Sequence, residues 1–189
     1  NDKENKYTYV GKIKMSQEFE RSDLTKGFSG LLAVAKVNGN YKFNLYTSLK
    51  DDKYNSDDLG LLETNNEITN GLSLSYHQFN ENKRFVTSNL STSINYQTLF
   101  TDQKFVNLEL GISARMTLKN YTTISIRTNF NPYEKNDFYE ARTNDLTHPL
   151  KRSKSINGSG WISTDYRKRL AIDIGGGGAF SPLYKGSVY

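Results

Sequence analysis

The sequence predicts an all-β protein, an antiparallel up-and-down sheet that forms a transmembrane β-barrel, of which this chain supplies a part. Three observations predict this fold class. Apolar and polar residues alternate with a period of two, no segment has a helical period, and short turns alternate with longer loops. An alternating strand has two unlike faces, so the apolar face must meet either a protein core or lipid.

The clearest alternating segment is residues 105–118. Its apolar residues occupy the even positions, namely Val106, Leu108, Leu110, Ile112, Ala114, Met116 and Leu118. The odd positions after Phe105 are mostly polar, from Asn107 to Thr117. The segment is about twice as long as an ordinary strand, which favours a membrane-crossing strand over a short strand of a soluble domain.

The same pattern predicts the other elements in order. Amphipathic strands are expected at 7–19, 41–49, 72–76, 84–100, 121–130, 156–166 and 170–174, with a less regular one at 27–37. With 105–118 this makes about nine strands in a single domain spanning 1–189. Single-chain bacterial barrels close with an even number of strands, and SPLYKGSVY at the end of the sequence lacks alternation and is expected to be a loop. The sequence opens without Met or a signal-peptide pattern, which is expected of a mature form or of an excised segment. The odd strand count favours a segment of a longer barrel protein.

The predicted connections fall into two classes. One end of the sheet has short turns at Asn38-Gly39-Asn40, 80–83, Lys119-Asn120 and near Arg167. The other end has a short turn at 101–103 and three longer stretches, which lie at 21–27, about 50–70 and about 131–155. Short turns on one side and long loops on the other are the organisation of a bacterial outer-membrane barrel.

Composition excludes some classes and leaves two open. The chain has 189 residues, a net charge of +5, only 35% hydrophobic residues, and no cysteine, yet it contains 13 Tyr and 10 Phe. It has no apolar run long enough for a membrane helix, whereas barrel strands conceal their apolarity in alternation. A soluble lipocalin-like barrel with its stripes turned inward around an apolar ligand is the alternative. Strand length, aromatic residues near strand ends and the sorted loops favour lipid. The residues predicted to face lipid are Val106, Leu108, Leu110, Ile112, Met116 and Leu118.

Three segments resemble a known family. They are Tyr54-Asn55-Ser56-Asp57-Asp58-Leu59-Gly60-Leu61, then Glu140-Ala141-Arg142 with Pro149, and Ser163-Thr164-Asp165-Tyr166-Arg167-Lys168. They resemble motifs of a family of Gram-negative surface proteins of unassigned function, in which an N-terminal carbohydrate-binding-module-like domain precedes an outer-membrane β-barrel. The first segment departs from the family pattern at Ser56, Asp57 and Leu61. The resemblance implies a place in the bacterial outer membrane and a family-motif loop at Asp57, Asp58, Leu59 and Gly60.

A catalytic site is one hypothesis for the two histidines. His77 lies two residues from Ser75 on the same strand face, which permits a serine and histidine contact of the kind that hydrolases use. Serines are common on a polar barrel face, and His148 precedes Pro149 in a loop. A lumen-lining His77 is therefore favoured over a membrane-embedded hydrolase, and neither catalytic residues nor a metal site are expected.

Other polar clusters suggest partners and no cofactor. The glycines 175–178 lack the residues of a phosphate-binding loop and are expected to form a bend, a bulge or a strand end. Asp51, Asp52, Asp57 and Asp58 do not match a calcium-loop spacing. Lys151, Arg152 and Lys154 are expected to contact lipopolysaccharide phosphates. A second basic group at 167–169 lies at the opposite end of the sheet, which argues against nucleic acid as a partner.

The sequence therefore predicts an outer-membrane barrel that serves as an anchor, a pore or an accessory subunit of a cell-envelope assembly. The expected partners are outer-membrane lipid and lipopolysaccharide, together with envelope proteins or polysaccharide. The link to surface polysaccharide comes only from the family resemblance.

Overall fold

The computed structural model describes residues 6–20, 23–55, 64–139, 148–182 and 186–188. These residues form twelve strands: β1 Tyr7–Glu20, β2 Asp23–Lys36, β3 Tyr41–Lys50, β4 Glu67–Gln78, β5 Phe85–Leu99, β6 Phe105–Leu118, β7 Thr123–Asn131, β8 Lys135–Asp137, β9 Leu150–Arg152, β10 Ser155–Ser163, β11 Asp173–Ser181 and β12 Gly186–Val188. Across these ranges there is no α-helix, and hence no helix of the length and apolarity needed to cross a membrane.

The strands form an antiparallel meander. One sheet of ten strands has the order β1-β2-β3-β4-β5-β6-β7-β10-β11-β12, and β8 pairs with β9 in a separate hairpin between β7 and β10. This confirms the all-β, antiparallel, up-and-down fold class. The sheet is open, since β1 and β12 stand at its two edges and do not pair with each other in the described residues. Closure into a transmembrane barrel stays a prediction.

All nine predicted strands are present, but several boundaries and connections were predicted wrongly. The strand expected at 72–76 is longer and covers Glu67–Gln78. The prediction started too late because Asn70 stands where the alternation calls for an apolar residue. The loop expected at 21–27 is wrong: Glu20 pairs with Asp23, so this hairpin is tight. Two of the four connections at that end are therefore long, between β3 and β4 and between β7 and β10.

The glycine run also differs from expectation. Residues 175–178 form the middle of β11, where Gly175 pairs with Trp161 and Gly178 pairs with Gly158. Glycine has no side chain to show a period, so the pattern ends where the strand continues. The loop expected at the end of the sequence is wrong for residues 186–188, which pair with Ala179–Ser181.

The buried apolar cluster lies at the long-loop end of the sheet. Leu99, Val106 and Phe138 form it, with Tyr139 packed against them. Gln97 pairs with Asn107 and Thr98 pairs with Phe105, so Val106 is left over as a bulge. The bulge explains why Val106 joins this cluster although its even position predicts the opposite face.

Asn66 joins two connections at the same end of the sheet. It is 1% exposed and has a φ of 52°, a left-handed conformation that asparagine tolerates better than most residues. Its Oδ1 accepts from the backbone N–H groups of Phe100 at 3.1 Å and Thr101 at 3.0 Å, and its own N–H donates to the Asp51 carbonyl at 2.9 Å. The two described ends of the β3–β4 connection, at Asp51 and Asn66, are thereby joined to each other and to the turn between β5 and β6.

Candidate functional site

The register of the sheet assembles two continuous and unlike faces. One cross-strand row runs from β2 to β11 and consists of Val34, Leu45, Leu72, Ile94, Leu110, Phe130, Ile156 and Phe180. A parallel row on the opposite face runs from β3 to β10 and consists of Lys42, Ser75, Ser91, Ser113, Arg127 and Ser159. The alternation seen in single strands thus adds up to an apolar face and a polar face.

The apolar face is the exposed one. On β5 the apolar-face residues Leu90, Ile94 and Tyr96 are 54%, 44% and 42% exposed, whereas the polar residues that alternate with them are half-buried. Leu45 and Ile112 on the neighbouring strands are 53% and 58% exposed. A sheet packed on a soluble core would have the reverse pattern, with its apolar face hidden.

Charge follows the same division. The charged residues of β3–β7, β10 and β11 all lie on the polar face, and they are Lys42, Lys50, Glu67, Glu109, Arg115, Arg127 and Asp173. The apolar face of these described strands carries no charged residue. Its polar side chains are neutral ones, such as Asn70 and Thr92. A water-facing sheet of this size would carry charges on its exposed side.

The residues predicted to face lipid divide into two sets. Leu108, Leu110, Ile112, Met116 and Leu118 lie along β6, where Ile112 is the most exposed and the others are half-buried. Val106 is only 5% exposed and belongs to the cluster with Leu99 and Phe138. The structure therefore places Val106 apart from the exposed face.

Aromatic rings gather at both ends of the apolar face. At the short-turn end, Tyr41 and Tyr76 have ring centroids 4.7 Å apart. At the long-loop end, Phe28 meets Phe100 edge-on at 5.7 Å, and Tyr96 contacts Phe105 at 5.9 Å. About ten residue steps separate the Tyr76 row from Phe100. At about 3.3 Å per residue, the two aromatic ends are about 33 Å apart along the strand.

The polar face contains two adjoining cavities. One of ≈280 Å³ is lined by serines of β4–β6 together with Gly111, Arg127 and Asn129. The second, of ≈410 Å³, is lined by Asn89, Arg115, Arg127, Trp161 and nearby serines. Ser113 and Arg127 border both cavities. The guanidinium carbon of Arg115 lies 5.2 Å from the centroid of the Trp161 ring, a cation–π contact.

Ser75 and His77 do approach each other. His77 Nε2 lies 3.2 Å from Ser75 Oγ, within hydrogen-bond reach. The imidazole also stacks on Phe79 at 5.8 Å. A serine hydrolase needs a third group that orients the histidine, and no carboxylate contacts His77 in the described residues. Across those residues there is also no cluster of groups that could hold a metal ion.

The basic residues predicted to contact lipopolysaccharide lie on and beside the β8–β9 hairpin. Arg152 pairs with Asp137 at 2.9 Å, and Lys151 approaches Glu134 at 3.7 Å. Lys154 is exposed between β9 and β10. Two of the three cations thus already have an acidic neighbour on or beside the same hairpin.

The family-motif loop at Asp57, Asp58, Leu59 and Gly60 lies outside the described residues, as do residues 140–142. The residues that flank these segments are firmly held. Tyr54 is 8% exposed, and the Tyr139 hydroxyl donates to the Asn65 carbonyl. Burial, with smaller contributions from Glu67 and Asp52, raises the pKa of Tyr139 to about 12.

The third family-like segment forms the turn between β10 and β11. Asp165 Oδ1 accepts from the Arg167 backbone N–H at 3.1 Å, and its carboxylate holds the guanidinium of Arg167 through two contacts of 2.8 Å. This side-chain pair lowers the pKa of Asp165 to about 2. Arg167 also lies 3.4 Å from the ring centroid of Tyr121 in the preceding turn, a contact that spacing in the sequence could not predict.

Comparison with known families adds one match. The model of a family described as a domain of unknown function, DUF5916, covers residues 1–182. The chain belongs to this family. The DUF5916 description assigns no activity, location or ligand. No curated protein and no solved structure has a significant match to the chain.

Proposed function

We propose that the ten-stranded sheet is part of the wall of an outer-membrane β-barrel that serves as an anchor, a pore or an accessory subunit of an envelope assembly. The observation that carries the proposal is the exposed apolar face, which carries no charged residue in the described strands β3–β7, β10 and β11. Bacterial outer-membrane barrels have this outward apolar band around a polar interior.

The physical reason is the cost of the alternative. Monomeric soluble proteins rarely expose contiguous apolar patches of more than a few hundred Å², and this face spans most of ten strands. In lipid the same side chains meet hydrocarbon, and the charged residues on the other face remain hydrated. The soluble lipocalin-like alternative needs the apolar stripes inside, and the exposures of Leu45 and Ile112 support the opposite orientation.

The aromatic ends of the face support the same proposal. Tyr and Trp rings favour the membrane–water interface because one part of each ring is apolar and the other polar. Tyr7, Tyr41 and Tyr76 take this place at the short-turn end, and Tyr96 and Tyr133 take it at the other. With the strand tilt of about 40° that such barrels have, a separation of about 33 Å along the strand corresponds to an apolar band about 25 Å tall, as expected for an outer-membrane barrel.

A membrane setting also requires that both sheet edges be paired. Unpaired backbone N–H and C=O groups in hydrocarbon cost several kcal/mol each. The outer edge of β1, fourteen residues long, therefore needs a hydrogen-bonded neighbour in the membrane. In our proposal, closure of the barrel supplies this neighbouring strand.

The long-loop end is the outer surface in this proposal. Lys154 is the strongest remaining candidate for a lipopolysaccharide phosphate contact, because Lys151 and Arg152 approach Glu134 and Asp137. The link to surface polysaccharide and the carbohydrate-binding-module-like domain rest on the family resemblance alone.

Membrane extraction tests the proposal directly. Membranes are isolated from cells that contain the native full-length protein and are extracted with detergent. The extract is run on gels with and without boiling. We expect a membrane-bound band whose mobility changes on boiling, because a folded barrel resists the detergent of the gel. A product that is soluble without detergent and shows no mobility change would overturn the proposal.

A further inference from the structure

We infer that the polar face carries a binding site for an oxyanion group, a phosphate, sulfate or carboxylate, centred on Arg115 and Arg127. The inference deepens the proposed function, on which it rests for the route by which a solute reaches this face. It names the chemical class of solute that the interior of the barrel would hold.

The geometry brings two cations together on neighbouring strands. Arg115 pairs across the strands with Ser125, and Arg127 pairs with Ser113, so the two arginines are diagonal neighbours on one face. Both line the same cavity of ≈410 Å³. Like charges placed this close repel each other, and an anion between them would remove that repulsion.

Neither arginine has an acidic partner in the described part of the chain. Acidic residues at the short-turn end are already engaged, since Glu81 pairs with Lys119 at 2.7 Å and Asp165 pairs with Arg167 at 2.8 Å. Glu109 projects from the same face but lies four residues beyond Ser113 along β6. The cavity therefore has a local excess of positive charge.

The contact between Arg115 and Trp161 favours a positioned guanidinium. A ring contact uses the π-face of the indole and consumes none of the N–H donors of the guanidinium. The hydroxyl groups of Ser113, Ser125 and Ser159 line the same space and can donate further hydrogen bonds. Arginine donors arranged in a fork match the oxygens of phosphate and carboxylate groups.

Trp161 gives a local reporter, because it is the single tryptophan of this chain. The full-length protein in detergent is titrated with sodium phosphate against sodium chloride at constant ionic strength. The signal of Trp161 is obtained as the fluorescence difference between the native protein and Trp161→Phe. We expect a saturable change with phosphate, weakened about tenfold or more in Arg127→Gln, because a charge-assisted hydrogen bond is lost.

Arg84→Gln is the matched control, since Arg84 is an exposed arginine in a short turn away from the cavity. The control should bind phosphate as the native protein does. A response that does not saturate, that chloride reproduces, or that Arg127→Gln leaves unchanged would overturn the inference.

The same preparations are run on gels with and without boiling, which separates the two proposals. A retained mobility change without a phosphate response overturns the anion site and leaves the barrel standing. A saturable, Arg127-dependent response in a protein that is soluble without detergent and shows no mobility change supports the anion site and overturns the barrel.

Discussion

Single residues fix the packing of the polar face. Gly71 lies in the middle of β4 beneath the Tyr46 ring, where an added Cβ would be 2.1 Å from a ring carbon. The Tyr46 ring occupies the space that a side chain at position 71 would need, and its hydroxyl donates to Asn95 Oδ1 at 2.9 Å. The glycine is required at this position because a neighbouring side chain lies against its backbone.

Gly71→Ala should lower the free energy of unfolding by about 1 to 3 kcal/mol, because the Tyr46 ring must move and its hydrogen bond is lost. Gly176→Ala is the control, since nothing lies within 4 Å of the added Cβ there. That control should change stability by no more than about 0.5 kcal/mol. Urea unfolding in detergent measures both, and equal effects would show that the Tyr46 contact is unimportant.

Asp165 should make the turn between β10 and β11 sensitive to acid. Its pKa is lowered to about 2 by Arg167, so the carboxylate form is favoured in the folded protein. A lowered pKa gives stability that is present above the unfolded value of about 4 and is lost as the pH falls toward 2.

Arg167→Gln should raise the pKa of Asp165 toward about 4, because the charged partner is removed. The titration of its carboxyl carbon by NMR in detergent measures the change. Arg169→Gln, which alters a neighbouring exposed arginine, should leave the pKa of Asp165 near its native value. A native midpoint near 4 would contradict the ion pair.

At the scale of elements, each strand carries its two faces in a register that the neighbouring strands continue. Leu45 on β3 pairs with Leu72, which pairs with Ile94, so one substitution samples the middle of the apolar band. Asn44, the adjacent residue, lies on the polar face beside Ala35 and Ser73. These two positions provide a matched test of orientation.

In the proposed membrane orientation, Leu45→Arg brings a charge to the middle of the bilayer and should destabilise the protein in lipid vesicles by about 2 to 4 kcal/mol. Asn44→Arg should cost much less, since the polar face stays hydrated in the same orientation. Urea unfolding of both variants in vesicles measures the difference. Leu45 is exposed, so if the apolar face met water the replacement would cost no more than about 0.5 kcal/mol. That result would contradict the membrane orientation.

At the scale of the whole molecule, the open sheet has two edges, and β1 is the longer one. An unpaired edge exchanges its outward amide protons quickly, whereas a hydrogen-bonded edge protects them. In the assembled full-length protein we expect every other amide of β1, those directed away from β2, to exchange slowly. Hydrogen exchange followed by NMR measures this, and fast exchange of that set would contradict barrel closure.

Several features of the fold could be predicted because each strand reports its own period. Residues 105–118 alternate without interruption, and β6 occupies the predicted span. The strand boundaries were predicted wrongly where apolar and polar residues do not alternate. The glycines of β11 have no side chains, and Asn70 stands in an apolar position of β4. The bulge at Val106 depends on pairing with β5, so alternation within one strand could not reveal it.

The candidate site was predictable only in part. The approach of Ser75 to His77 follows from their spacing on one strand, and the structure places them 3.2 Å apart. Arg115 on β6 contacts Trp161 on β10, and these two strands are separated in the sheet by β7. The spacing of the two residues in the sequence does not predict this contact. The same holds for Arg167 and Tyr121, which meet across two successive short turns.

The sequence by itself determined the all-β class, the up-and-down order and the two faces of each strand, because side chains alternate with a fixed period of two. Only the tertiary structure decided which face is exposed, which loops are tied together by Asn66, and which cations share a cavity. The reason is that periodicity is a local property of the chain, whereas exposure and contact depend on register between strands distant in sequence.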